Sequence, residues 1–162
     1  AEACGELFGV DVGLKWPNDL VPRPDDRKLA GILAESASGP DGVSAVAIGM
    51  GLNANGPLPP EVRGTAVTLH ELTGAPVDRE ELLIAALLRV DDLFDQVTTP
   101  AVAVRYRRLS ATIGREVRVE LEGGDLVAEA VDVDEDGHLL LDPGTGDLVP
   151  LAAGDVVHLR PA

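Results

Sequence analysis

A chain of 162 residues, 45% of them hydrophobic, can bury a core for one ordinary domain, or for a medium unit plus a small one. Only 2% are aromatic, so that core is built from Val, Leu, Ile and Ala. With 28 acidic against 13 basic residues the net charge is −15, which argues against a nucleic-acid or anionic-membrane surface, because both need a basic face. A phosphorylated small molecule stays open, since one or two well-placed cations can hold it.

The single cysteine, Cys4, cannot form an internal disulfide or a cysteine metal site, and reads as a buried small residue. No apolar stretch is long enough to span a membrane and no signal peptide heads the chain, which predicts a cytoplasmic protein. Residues 1–8 read as the last turns of a helix closed near Gly9, so the sequence reads as starting part-way into a domain. Val12–Lys15 is a short strand candidate. Pro17 and Pro22-Arg23-Pro24-Asp25-Asp26 mark a turn-rich loop. The apolar runs Lys28–Ser36 and Val43–Leu52 flank Ser38-Gly39-Pro40-Asp41-Gly42 and predict an antiparallel hairpin.

After a proline-rich loop over 55–64, Thr68–Thr73 is a short helix with Thr68 as N-cap and Gly74 as stop. The spacing of Leu82, Leu83, Ala86, Leu87, Val90, Leu93 and Phe94 predicts a helix over 78–96 capped by Asp78. A further helix follows over 101–109. The pattern then turns to short β-type runs at 117–121, 126–133, 138–141, 148–151 and 156–159, separated by Gly-containing turns, which predict a small barrel. The boundary is placed near Thr112, giving units over 1–112 and 113–162.

Three clusters carry polar groups in unusual settings. Lys15-Trp16-Pro17-Asn18-Asp19-Leu20 gathers charged and amide groups at a strand end; its plain reading is a surface turn with a half-buried Trp. In Lys28-Leu29-Ala30-Gly31-Ile32-Leu33 a lysine enters an apolar strand, and Gly31 leaves bare backbone where a ligand can approach. Ile48-Gly49-Met50-Gly51-Leu52-Asn53 ends a strand. Its G-x-G is not a dinucleotide fingerprint, because the chain runs into Asn55-Gly56-Pro57 and not into a helix. His70, His138 and His158 are too scattered for a metal pattern and read as surface or half-buried residues. Ser36, Ser38, Ser44 and Ser110 lie in no nucleophile-elbow context.

In order, content and spacing, the motifs K-W-P-N-D-L at 15–20, K-L-A-G-I-L at 28–33 with Glu35, and I-G-x-G-L-N at 48–53 resemble the biotin–protein ligases. The resemblance covers nearly the whole chain. It implies an α+β fold: a partial mixed or antiparallel sheet with helices, of the class II synthetase type, followed by a small Src-homology-3-like barrel. It implies activation of biotin by ATP and Mg²⁺ as biotinyl-5′-AMP, then transfer to a lysine of a biotin carboxyl carrier protein. By that resemblance Lys28 meets the biotin carboxylate and the α-phosphate, with Lys15 and Asp19 beside it. The backbone at Ala30 and Gly31 lies on biotin. Asn18, Asp19, Asn53 and Arg160 face the nucleotide, and Asp19 and Asn53 the metal. The family's Gly/Arg-rich biotin loop belongs upstream of Lys15 and is absent from this sequence, which makes the piece alone an impaired or inactive enzyme. Family members often pair through the central sheet, so a homodimer is possible. The rivals are a lipoate-type ligase and a non-catalytic binding or dimerisation module; a DNA-binding repressor role fits this segment poorly.

Overall fold

The computed structural model describes residues 1–23, 25–40, 42–97, 99–120, 124–154 and 156–159. Helix α1 (Glu2–Phe8) ends on Gly9 in the left-handed conformation, as the sequence predicts, and buries Cys4. Strands β1 (Val12–Lys15), β2 (Asp19–Pro22), β3 (Ala30–Gly39) and β4 (Gly42–Leu52) form an antiparallel sheet in the order β1-β2-β3-β4. The β3–β4 hairpin is the one expected. The β1–β2 hairpin is a correction: Asp19–Pro22 pairs with Val12–Lys15, so the prolines at 17 and 22 bracket a short strand and do not dissolve it.

Alternation along β3 and β4 separates two faces. Ala30 pairs with Leu52 and Ile32 with Met50; Ala30, Ile32 and Leu52 pack on the first core, built on Leu29, Val67, Leu69, Leu20 and Val12. Gly31 stands opposite Gly51 and Leu33 opposite Gly49, on the other face. Burying each large side chain of that core contributes about 1.5–3 kcal/mol.

Helix α2 (Leu69–Thr73) is capped as predicted, with Thr68 Oγ1 accepting from the Glu71 amide and Gly74 in the left-handed region. In α3 (Arg79–Phe94) Asp78 accepts from the amides of Glu80 and Glu81. The helix is as expected; its packing is not. Leu82 alone is buried, while Leu83, Leu87 and Phe94 of the predicted apolar stripe are exposed. Ala86, Val90 and Leu93 face a cavity of about 290 Å³ between α3, the sheet and α4 (Pro100–Leu109). Tyr106 also lines it. The Tyr106 hydroxyl is buried and has no hydrogen-bond partner among the described residues, and burial pushes it up to about 12.

From Thr112 the chain builds β5 (Arg115–Val119), β6 (Leu126–Val133), β7 (Leu139–Asp142), β8 (Val149–Leu151) and β9 (Val156–His158). They form a five-stranded antiparallel sheet in the order β8-β7-β6-β5-β9. The five short strands of the expected all-β unit are thus present as one sheet; among the described residues no ladder joins β8 to β9. The first of these strands also starts earlier than the apolar run predicts, at Arg115; Leu121 lies outside the described residues. Val117, Val119, Ala130, Leu139 and Leu141 are fully buried in a second core.

Candidate functional site

The β1–β2 turn and the start of β3 bring the first two sequence clusters together. Lys15 pairs with Asp19 across the hairpin, and Asp19 pairs with Gly31 across the next ladder. Lys28 precedes β3, bridging to Ala66, and its arm returns over Gly31. Its Nζ lies 2.7 Å from Asp19 Oδ1. The approach is off the hydrogen-bond direction, so the buried Asp19 Oδ1 has a charge partner but no donor aimed at it. A Cβ on Gly31 would stand 2.9 Å from both Cε and Nζ of Lys28. Gly31 is therefore bare first of all because Lys28 lies on it, a reason the sequence reading did not contain. Opposite, a Cβ on Gly51 would meet nothing within 4 Å. A half-exposed ammonium thus lies over Gly31, beside the open backbone at Gly51.

The amides in the cluster work inward. Asn18 Nδ2 donates to the Ile32 carbonyl at 2.8 Å, and the Ile32 amide donates to the Asn18 carbonyl at 2.9 Å, clamping the turn to β3. Asn53 Nδ2 donates to the Lys28 carbonyl at 3.2 Å, and its amide donates to the Leu29 carbonyl, so the end of β4 fixes the root of the Lys28 arm. Ala30 sends its methyl into the first core and can offer a ligand only its backbone. Arg160, expected to reach the nucleotide, lies outside the described residues.

The plain reading of a surface turn with a half-buried Trp16 does not hold. Trp16 is 3% exposed and packs in the core of the second sheet with Val117, Val133 and Leu139. Its Nε1 donates to the Gly137 carbonyl at 2.9 Å, and its amide donates to Thr112 Oγ1 at 3.0 Å. Thr112 Oγ1 lies 3.0 Å from His158 Nε2, and His158 Nδ1 lies 3.1 Å from Asp26 Oδ1. Arg115 closes the chain with two bonds to the Asp26 carboxylate, at 2.7 and 3.0 Å. His158 is thus buried, against expectation. Burial pushes its pKa below the ordinary value, further than the Asp26 bond raises it, with the Arg115 and Lys15 charges adding to the fall. Burial alone would raise Asp26, but the bonds from Arg115 and His158 outweigh it and hold the carboxyl below its usual range.

Sequence reasoning missed Thr112, Asp26, Arg115 and the role of His158, because nothing local marks partners so far apart in the chain. It also did not group Asp134 and Asp136 with His138, whose ligand atoms lie within 4.8 Å of one another. Asp134 Oδ1 accepts from the amides of Asp136 and His138, which accounts for that group as a turn.

The family model described as "Biotin protein ligase C terminal domain" matches residues 112–159. The biotin–[acetyl-CoA-carboxylase] ligase of Mycobacterium tuberculosis is 44% identical over 154 residues, covering 93% of this chain and 54% of that protein. The chain is thus similar to biotin protein ligases over nearly all of its length, and its last third matches their C-terminal domain. The bifunctional ligase/repressor BirA of Escherichia coli is 32% identical, over 96% of this chain and 49% of its own length. A solved biotin protein ligase from Aquifex aeolicus, in complex with biotin and ATP, superposes with a TM-score of 0.78 at 27% identity, over 99% of this chain and 67% of that one. The chain spans about half the length of these curated biotin protein ligases.

Proposed function

We propose that the chain is the part of a biotin–protein ligase that carries the lysine side of the adenylation site, followed from about residue 112 by the family's C-terminal unit. The observation that carries this reading is the Lys28 ammonium, held 2.7 Å from Asp19 over Gly31, beside the open backbone at Gly51. Biotin is a flat bicyclic ring on an acid tail. The bare backbone at Gly51 leaves space for a ring beside the Lys28 arm, and Lys28 offers the tail a cation. ATP brings a second anion to the same place. One positive group between carboxylate and α-phosphate lowers their repulsion and meets the charge that develops as they join. A carboxylate oxygen of biotin bonds to the α-phosphorus, the bond to the bridging oxygen breaks, and pyrophosphate leaves. The carrier lysine, as free amine, then attacks the acyl carbon, loses a proton and releases AMP.

Asp19 orients Lys28 in this reading. That role fits its geometry better than metal ligation does, because its Oδ1 is already committed to the ammonium. A magnesium ion entering with the ATP phosphates is better met by Asn53, whose Oδ1 takes no hydrogen bond among the described residues. Lys15, one ladder pair from Asp19, adds positive potential. Asn18 serves as a clamp on β3, its Nδ2 already donating to the Ile32 carbonyl.

The test is acceptor labelling. The chain, and a version joined to the upstream half found in its relatives, are incubated with ATP, Mg²⁺, biotin and a biotin carboxyl carrier domain, and the carrier is read with avidin. Labelling by the extended protein, abolished by Lys28→Ala, is the expected result. No labelling by a folded extended protein overturns the reading, and labelling with lipoate instead replaces it with a lipoate-type ligase.

A further inference from the structure

We propose that Thr112 and His158 are positioning residues for the candidate site: they hold the 16–18 turn from the second sheet, and through it set Lys15, Asp19 and Lys28. The proposal rests on the ligase reading only for what the positioned groups do; the mechanical link stands on its own.

The donor and acceptor count fixes how the link works. The Trp16 amide can only donate, so Thr112 Oγ1 accepts from it. The hydroxyl then has its own proton to give, and the partner at 3.0 Å is His158 Nε2. His158 Nε2 must accept, which puts the imidazole proton on Nδ1, where it is donated to Asp26 Oδ1. Asp26 is held in turn by both arms of Arg115, from β5. Each donor has one acceptor, and the direction of every bond follows from the first.

The other end of the link is the site. Trp16 lies between Lys15 and Pro17, and the indole is anchored twice, by its packing in the second core and by the Gly137 carbonyl. Two residues on, the Asn18 carbonyl and amide grip Ile32, next to Gly31. Asp19 then pairs with Gly31 and meets Lys28. A rotation of the turn that moved Trp16 would therefore move Asp19 relative to Gly31, on which Lys28 rests. The indole is the bulky anchor. The hydroxyl of Thr112 sets the height of the backbone beside it, and His158 sets the rotamer of that hydroxyl.

The variants are Thr112→Val, which keeps the shape and removes the hydroxyl, Thr112→Ser, which restores it, and Leu141→Ala, which weakens the same core without touching the link. Amide exchange is followed at Trp16 and at Ile32 in the 162-residue chain without substrates, and pyrophosphate release with biotin and ATP in the extended protein. In Thr112→Val, exchange at Ile32 is expected to quicken about tenfold along with Trp16. Turnover should fall on the order of tenfold to a hundredfold, with a smaller change in KM for biotin. Thr112→Ser should restore both. Leu141→Ala should lower the melting temperature and leave Ile32 exchange and turnover near wild type below the transition. Quickened exchange confined to Trp16, with Ile32 and turnover unchanged, overturns the proposal; so does an equal effect of Leu141→Ala. If the wild-type extended protein releases no pyrophosphate, the ligase reading fails, and the Ile32 exchange still decides the positioning.

Discussion

Replacing the two facing glycines separately distinguishes what each leaves room for. In Gly31→Ala the new methyl stands 2.9 Å from Lys28 Cε and Nζ, inside the 3.4–4 Å of ordinary contact. The backbone is not in the way, and the Lys28 side chain is 49% exposed, so the arm swings off Asp19 and the fold stays intact. An ion pair this open is worth about 0.2–1 kcal/mol. Exchanging Gly for Ala within a strand returns about 0.5–1 kcal/mol of backbone entropy. The two nearly cancel, so the melting temperature should stay within about 3 °C of wild type. Catalysis should not be spared: with the ammonium displaced, biotin-dependent ATP–pyrophosphate exchange in the extended protein should fall on the order of tenfold to a hundredfold. In Gly51→Ala the methyl enters open space and leaves Lys28 alone. There the expected change is a weaker half-saturation for biotin with turnover largely kept. Circular-dichroism melts and the exchange assay, run on both variants, check this. Unchanged exchange in a folded Gly31→Ala protein would refute the idea that the seat of Lys28 over Gly31 matters for the reaction.

Other outcomes are as definite. Leu139→Ala, in the second core at full burial, should cost about 2–5 kcal/mol, read from urea midpoints. Asp78→Ala leaves the amides of Glu80 and Glu81 without their acceptor and should cost about 1 kcal/mol by the same measure. His158 has a folded pKa below its unfolded value of 6.5, so its contribution is complete above that pH and is lost as pH falls toward the folded value. Melting temperature should therefore drop on acidification below about 6.5, and His158→Gln should flatten that slope. Asp26, also depressed, contributes fully above its ordinary carboxyl range and loses that contribution as pH falls toward its folded value.

Where the chain's order is local, the sequence showed it. Asp78 and Thr68 are caps because a short polar side chain reaches only its own helix's first amides, and both are found as read. The β3–β4 hairpin follows from two apolar runs around a Gly/Pro turn. The β1–β2 hairpin was hidden because β2 is four residues long and ends in Pro22, whose missing amide lies at the strand's end. Lys28, Asp19 and Gly31 were legible as a set through their motifs. The reason for Gly31 was not, because it depends on how an arm rooted three residues earlier folds back over the sheet. The burial of Trp16 and of His158 was not legible for the same kind of reason: what surrounds them is supplied by segments far off in the chain. Helix α3 shows the converse. Its apolar spacing predicts a helix correctly, yet spacing cannot say what covers each side, and Leu83 and Leu87 are exposed.

The placement of Trp16 has a bearing on protein engineering. A chimaera spliced at Thr112, where the family's C-terminal match begins, would inherit the second sheet from one parent and the indole that fills it from another. An excised 112–159 module would have a hole the size of a bicyclic ring and a Gly137 carbonyl facing into it. Recombination between relatives should therefore succeed when the Lys15–Asp19 segment travels with the second sheet as one inherited block, although nearly a hundred residues of chain separate them, and fail when the crossover respects the order of the sequence alone.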